Sequence, residues 1–257
     1  MPASLLLEEL TREDARAAAT ATLLVLPTGA LEQHGPHLPV GTDFFAVTAI
    51  ARGAAAAASV RIPVLVAPTL PFGSSHHHIP FGGTMSLTVE TYYRVLTDLL
   101  ESLIACGFRR FFLVNGHGGN DELVQLAARD LALKHDAHLA AASYWNAAWV
   151  ALTDAGGHRD GGLPGHAGAF ESSLVLALRP ELVREPRPRR DDATGSDPRP
   201  IRTYRAEFHG NWQTFDGYTD SPARATAEQG RAYLEAASRA VGEALVEFYA
   251  ATEKAGQ

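Results

Sequence analysis

The 257-residue sequence holds a single cysteine, Cys106, so no internal disulfide can form and no thiolate cluster is available to a metal. Any ion must be held by nitrogen and oxygen. Basic residues are also short: 22 Lys and Arg against 29 Asp and Glu leave a formal charge of −7, which argues against nucleic acid or an anionic membrane as the main partner. The one dense basic stretch, REPRPRR at 184–190, is broken by prolines and followed by DDATGSDPRP, and it reads as a solvated loop. No apolar run approaches the roughly 20 residues that span a bilayer, and the N-terminal MPASLLLEELTREDARA carries acid where an export signal would be basic. A cytoplasmic chain is expected. No Gly-x-Ser-x-Gly elbow occurs either, which counts against a serine hydrolase built on Ser75 or Ser172.

What is present is a rhythm. Short apolar runs at 21–29, 61–70, 109–116 and 137–145 alternate with helical patterns at 42–59, 87–107 and 121–136. That alternation predicts an α/β fold with a mainly parallel sheet flanked by helices on both faces, and a length that can bury one full core makes 1–257 a single domain. A helix is expected over 169–178, stopped by Pro180, and an Ala-rich one from about Pro222 to Glu253. Between them, 200–215 reads as a pair of edge strands or an oligomer contact.

Polar clusters follow the apolar runs, where open α/β sheets bind their ligands. LEQHGPHLPVGTD (31–43), GSSHHHIPFGGT (73–84) and NGHGGN (115–120) each come after a strand, and GHAGAFESS (165–173) opens a helix. Glu, Asp and His without Cys are the donors of hydrolytic zinc, manganese or iron sites, and a carboxylate can bridge two ions where an imidazole serves one. Glu32 and His34 are two apart, so an extended segment points both the same way. The Gly and Pro residues that follow can turn the chain and bring Asp43 back to them. His117, between glycines, supplies another donor, and Glu171 or His166 could complete two coordination spheres and leave a place for water. Three consecutive histidines cannot face one ion, so one or two of His76, His77 and His78 are expected in the site. His37 reads as a group behind the ligands or against the substrate. His135, His138 and His158 read as ordinary histidines, and His209 stays open, since HGNW could project into a neighbouring subunit's site.

Taken together, these motifs resemble the creatininase (creatinine amidohydrolase) family. The family's opening signature, Gly-x-x-Glu-x-His-Gly-x-His-Leu-Pro-x-x-x-Asp, reads GALEQHGPHLPVGTD from Gly29 to Asp43; NGHGGN, GHAGAFESS and GSSHHHIPFGGTMSL match three further motifs, in order, over roughly residues 20 to 180. The resemblance implies a creatininase-like, metal-dependent amidohydrolase with two divalent ions, Zn and/or Mn and in some cases Fe, on Glu32, His34, a bridging Asp43 and His117. Creatininase proper has a glutamate two residues after the second-loop histidine, where this chain has Gly119, and the vacant role is expected to pass to Glu171. His77 stands where many relatives have Glu and Gly82 where they have Pro, in a loop expected to touch substrate, which argues against creatinine itself.

Relatives open small cyclic amides, deformylate pyrimidine intermediates or trim the mycofactocin precursor peptide; their shared chemistry is hydrolysis of a C–N bond. The expected activity is therefore hydrolysis of an amide or cyclic amide in a small molecule by metal-activated water. His166 is the expected proton donor to the leaving nitrogen, with Glu171 in the same motif. Ser74, Ser75, His78 and His37 are expected to orient substrate, and Trp145 to stack on a planar group. A peptidase trimming a precursor, or a non-catalytic metal-containing binding protein, are the alternative readings. The resemblance also implies a homo-oligomer, of a family in which hexamers occur, with the 200–220 segment as the candidate contact.

Overall fold

The computed structural model describes residues 4–190 and 210–255. Strands β1 (Leu23–Thr28), β2 (Val64–Val66), β3 (Arg110–Asn115) and β4 (His138–Ser143) form a parallel sheet in the order β2-β1-β3-β4. Side chains alternate across it. Leu23, Val25, Val64, Val66, Phe112 and Val114 pack on one face, and Leu24, Leu26, Leu65, Phe111 and Leu113 on the other. Both faces are dry, which is why the strands read as continuous apolar runs.

After α1 (Arg12–Ala18), the covering helices are α2 (Thr42–Ala58), α3 (Val89–Ala105), α4 (Asp121–Lys134), the short α5 (Tyr144–Ala147) and α6 (Trp149–Asp154), then α7 (Ala169–Leu178) and α8 (Ala227–Ala255). Residues of α2, α7 and α8 cover the first face; α3 and α4 cover the second. Alanines 46, 51, 54, 55 and 58 of α2 are all buried in that first core beside Ala236, Ala237 and Val241 of α8, small residues that let two helices approach closely. Helix α3 begins at Thr88, whose hydroxyl accepts the Thr91 N–H at 3.2 Å. Its Tyr92, Leu96 and Leu100 recur every fourth residue and are fully buried, the two leucines each contributing roughly 1.5–3 kcal/mol.

Four local expectations change. The run 61–70 yields only three strand residues, because beyond Val66 the chain meets β1 through one isolated bridge, Thr28 to Leu70, and Pro68 has no N–H to donate. The last helix starts at Ala227, since Pro222–Arg224 makes one 3-10 turn and Ala225 is extended. Of the expected edge strands at 200–215, the described part holds a 3-10 helix, Trp212–Phe215, while His209 and residues 200–209 lie outside the described residues. REPRPRR is a strap, not a solvated loop. Arg187 donates to Ala225 O at 2.8 Å, and Arg190 donates to Phe215 O at 2.9 Å and lies 4.2 Å over the Tyr218 ring, because the carbonyls of that strandless segment need donors.

The strand order positions the site. Strands β1 and β3 are neighbours, yet the chain leaves β1 for β2 and β3 for β4, so their C-terminal loops part and open a crevice. No described helix is long and apolar enough to cross a membrane.

Candidate metal centre

The loop after β1 supplies three of the expected residues. Gly35, at φ +63, turns the chain between His34 and His37, and a Cβ there would come within 3.1 Å of His37 Nδ1. Glu32, His34 and Asp43 are all buried. Asp43 stands in the first turn of α2 and faces two imidazoles at once: its Oδ1 is 3.1 Å from His34 Nε2 and its Oδ2 is 3.1 Å from His117 Nδ1. Glu32 Oε1 lies 3.2 Å from the same His117 nitrogen, and Glu171 Oε2 lies 3.7 Å from His34 Nε2.

The outer nitrogens of both rings are held by backbone. His34 Nδ1 donates to Glu32 O at 3.1 Å, and His117 Nε2 donates to Ser74 O at 3.1 Å. Each neutral ring therefore turns a lone pair toward carboxylate oxygens, an arrangement that repels unless a cation or a proton sits between. His34 Nε2 and Asp43 Oδ2 are buried with no hydrogen-bond partner. Protonation answers the demand: against a burial that opposes it, Asp43, Glu171 and Glu32 hold the His34 imidazole up to about 10, and Glu32 and Asp43 raise His117 well above its usual value. Burial, reinforced by Asp43 despite the pull of His34, pushes Glu171 up to about 8. Positive charge is what this cluster requires, and ring nitrogens backed by carbonyl acceptors are how proteins aim imidazole at a metal. The donor set fits divalent ions.

Around this core lies a second layer. The His117 loop is fixed by Asn115, which donates to His117 O at 2.7 Å and accepts its N–H at 3.1 Å. Asn120, placed to cap α4, makes no cap bond; its side chain instead accepts Ser74 N–H and donates to Gly29 O, joining the three strand-end loops. His166 Nε2 donates to Gln33 O at 3.0 Å, leaving Nδ1 3.6 Å from Glu32 Oε1. Gln33 in turn donates to His78 Nδ1 at 2.9 Å and to Gly217 O at 3.1 Å. That assignment pairs His166 Nε2 and His78 Nδ1, and leaves His166 Nδ1 turned toward the Glu32 carboxylate like the open nitrogens of His34 and His117. Burial, with His34 and His78 adding to it, lowers His166 well below its usual value; burial, with His77 adding to it, takes His78 down to about 3.

The cavity above these groups measures about 810 Å³, and its walls include His76, His77, His78, Trp145 and Trp212. Two substrate expectations fail here. Ser75 is fully buried and does not line the cavity; its hydroxyl donates to Glu32 Oε2, so it braces a carboxylate. His37 is also buried away from the cavity, 2.9 Å from Ser172 Oγ. His78, Trp145 and Ser74 do line it, as does His166. His135, His138 and His158 do not, and His135 is spent on Glu101. Sequence reasoning missed Gln33, which has no metal or proton chemistry to attract notice, and Trp212, whose ring stands 4.8 Å from His78 and 5.2 Å from His166. Trp212 lay in the segment read as paired strands.

The family model for creatininase, described as creatinine amidohydrolase, matches residues 8–245. The chain belongs to the creatininase family. It is 34% identical to the mycofactocin precursor peptide peptidase of Mycobacterium tuberculosis over 83% of this chain and 80% of that one. It is 32% identical to the creatinine amidohydrolase of Pseudomonas putida over 96% and 94%. A solved mutant creatininase of Zn–Zn type superposes with a TM-score of 0.78 at 30% identity, covering 96% of this chain and 98% of that one. Membership makes the protein a metal-dependent amidohydrolase acting on carbon–nitrogen bonds, with the creatininase α/β fold.

Against the creatininase pattern, the departure at Gly119 is built into the packing. A Cβ there would overlap the Ser74 carbonyl and stand 2.6 Å from His117 Nε2. Glu171 does not take the missing glutamate's place beside His117, as the sequence suggests. It groups with His34 and Asp43, and its Oε2 also accepts the Ala167 N–H. The reason is topological: α7 enters on the His34 side of Asp43.

Proposed function

We propose that this protein hydrolyses an amide or cyclic amide C–N bond with two divalent ions, Zn or Mn, held in the crevice at the ends of β1 and β3. Glu32, Asp43 and His117 would hold one ion, and His34, Asp43 and Glu171 the other. The observation that carries the reading is Asp43, whose two oxygens each face the open nitrogen of a different, backbone-pinned imidazole at 3.1 Å. When bound, such ions supply a Lewis acid for the scissile carbonyl and a water acidic enough to ionise near neutral pH.

The chain's own residues do the rest. His166, neutral with its proton on Nε2, would accept the proton released by the attacking water at Nδ1 and pass it to the leaving nitrogen, returning to the neutral ring. His78, its ring fixed by Gln33 at Nδ1, carries its proton on Nε2, 3.7 Å from Glu32 Oε1 at the edge of the cavity, where it would help hold a substrate oxygen. Trp145 and Trp212 offer flat faces to a planar acyl or amine portion. A second reading, a peptidase that trims a precursor peptide, is supported by the 34% identity to a mycofactocin precursor peptide peptidase, and a cavity of about 810 Å³ admits either substrate. Assembly as a homo-oligomer and a cytoplasmic location belong to the same proposal; light scattering tests the former.

Elemental analysis, followed by a panel of lactams, formamides and short peptides with and without chelator, tests the function. His117→Ala and Asp43→Ala should lose metal and at least about 10³-fold in activity with the fold retained, the scale of losing preorganised charge stabilisation. Full activity in stripped protein would end the proposal.

A further inference from the structure

Resting on the two-ion reading above, we propose that His77 completes the donor set on the Glu32 side, in place of a glutamate at Gly119, and biases that position toward zinc over manganese. Without it the Glu32 side has three protein donors, one of them shared. The loop carrying His117 cannot supply a fourth, because Gly119 has no room for a Cβ. What fills that room is the Ser74 carbonyl, and three residues later the same loop delivers His77. One segment both evicts a side chain from 119 and brings a replacement donor.

The geometry agrees. Donor atoms of Glu32, His77 and His117 all lie within 4.8 Å of one another, and the His77 ring centre is 5.9 Å from that of His117. In the same turn His76 Nδ1 is 2.8 Å from Ser86 Oγ, His78 binds Gln33, and the His77 ring lies 4.2 Å from that of His78 and 5.6 Å from that of Trp212. His77 is exposed and lines the cavity.

The residue type sets the metal. Carboxylate donors suit manganese, whereas imidazole suits zinc and its neighbours. An imidazole also adds no charge. Three carboxylates, Glu32, Asp43 and Glu171, then balance only three of the four positive charges of two divalent ions, which leaves the centre more electrophilic than one with a fourth carboxylate.

The test is binding, not turnover. Metal-free protein is titrated with Zn2+, and separately Mn2+, against a chromophoric chelator, and with Co2+ followed by its visible absorption. The parent should take two equivalents. His77→Phe keeps the ring without its nitrogens; since losing even an outer partner of a ligand costs about 10–100-fold, one of the two zinc constants should weaken at least about tenfold while the other stays, and the Co2+ bands should change. His77→Glu should recover affinity and narrow the zinc-to-manganese ratio. If both constants and the Co2+ spectrum of His77→Phe match the parent, with any loss confined to KM, His77 is a substrate wall and the assignment is wrong. A parent that fails to take two equivalents would instead overturn the two-ion reading itself.

Discussion

At the scale of single residues, the site is made by what stands behind each donor. Ser75 touches no cavity, yet its hydroxyl satisfies Glu32 Oε2 in a fully buried position. Ser75→Ala should leave the fold intact and weaken metal retention by about 10–100-fold, measured by chelator competition; an effect on KM alone would restore it as a substrate group. His37 makes a second prediction. Burial, with His34 and Arg187 adding to it, pushes its imidazole down to about 4, so it is neutral in the folded protein. An unfolded histidine titrates near 6.5. Its contribution to stability is therefore present above about pH 6.5 and lost as pH falls through 4. Urea midpoints of His37→Gln should vary less over that window than those of the parent. The cluster of proposed donors was legible, since Glu32, His34 and Asp43 are crowded into one turn-rich stretch. The roles of Ser75 and His37 were not, because the same side chain can brace a ligand or touch substrate, and only burial decides.

At the scale of elements, the strands and the helices between them followed from periodicity, and the stripe Tyr92, Leu96, Leu100 fixes how α3 lies. What periodicity missed is held by polar groups from distant sequence. Asp220 is the clearest case: buried to 2%, it accepts Ala169 N–H at 2.6 Å and Gly162 N–H at 3.3 Å, and so anchors the turn that presents His166 and the start of α7 that presents Glu171. An acid at a helix start also favours the dipole. Asp220→Ala leaves buried N–H groups unpaired at about 1–3 kcal/mol each, so the melting temperature should drop. The ion on the His34 side should be lost more readily than its partner, and equal loss of both would show that Asp220 serves the whole fold. Nothing in the spacing of YTDSPARAT marks that aspartate, because its partners lie some fifty residues away.

At the scale of the whole molecule, three buried carboxylates stand around the imidazoles of His34 and His117, a cost the fold bears unless positive charge is present. Ions that bind only the native state stabilise it by about 2.7 kcal/mol at a hundredfold excess over Kd. For a chain of this size that corresponds to roughly 5–11 °C. Calorimetry with and without chelator should show a shift of that order, and coincident melting curves would mean that bound cations contribute nothing.

The strand order gives the metal centre one more property. Its donors run from residue 32 to residue 171 and meet only when β1 and β3 are paired and α7 has docked. A fragment that ends before residue 171 lacks Glu171, so both proposed ion positions are complete only after that helix has joined the sheet. Metal added during refolding should leave the folding rate unchanged and slow unfolding, as expected of contacts absent from the transition state. Metal taken up per chain at saturating Zn2+ then serves as a titre of correctly assembled protein.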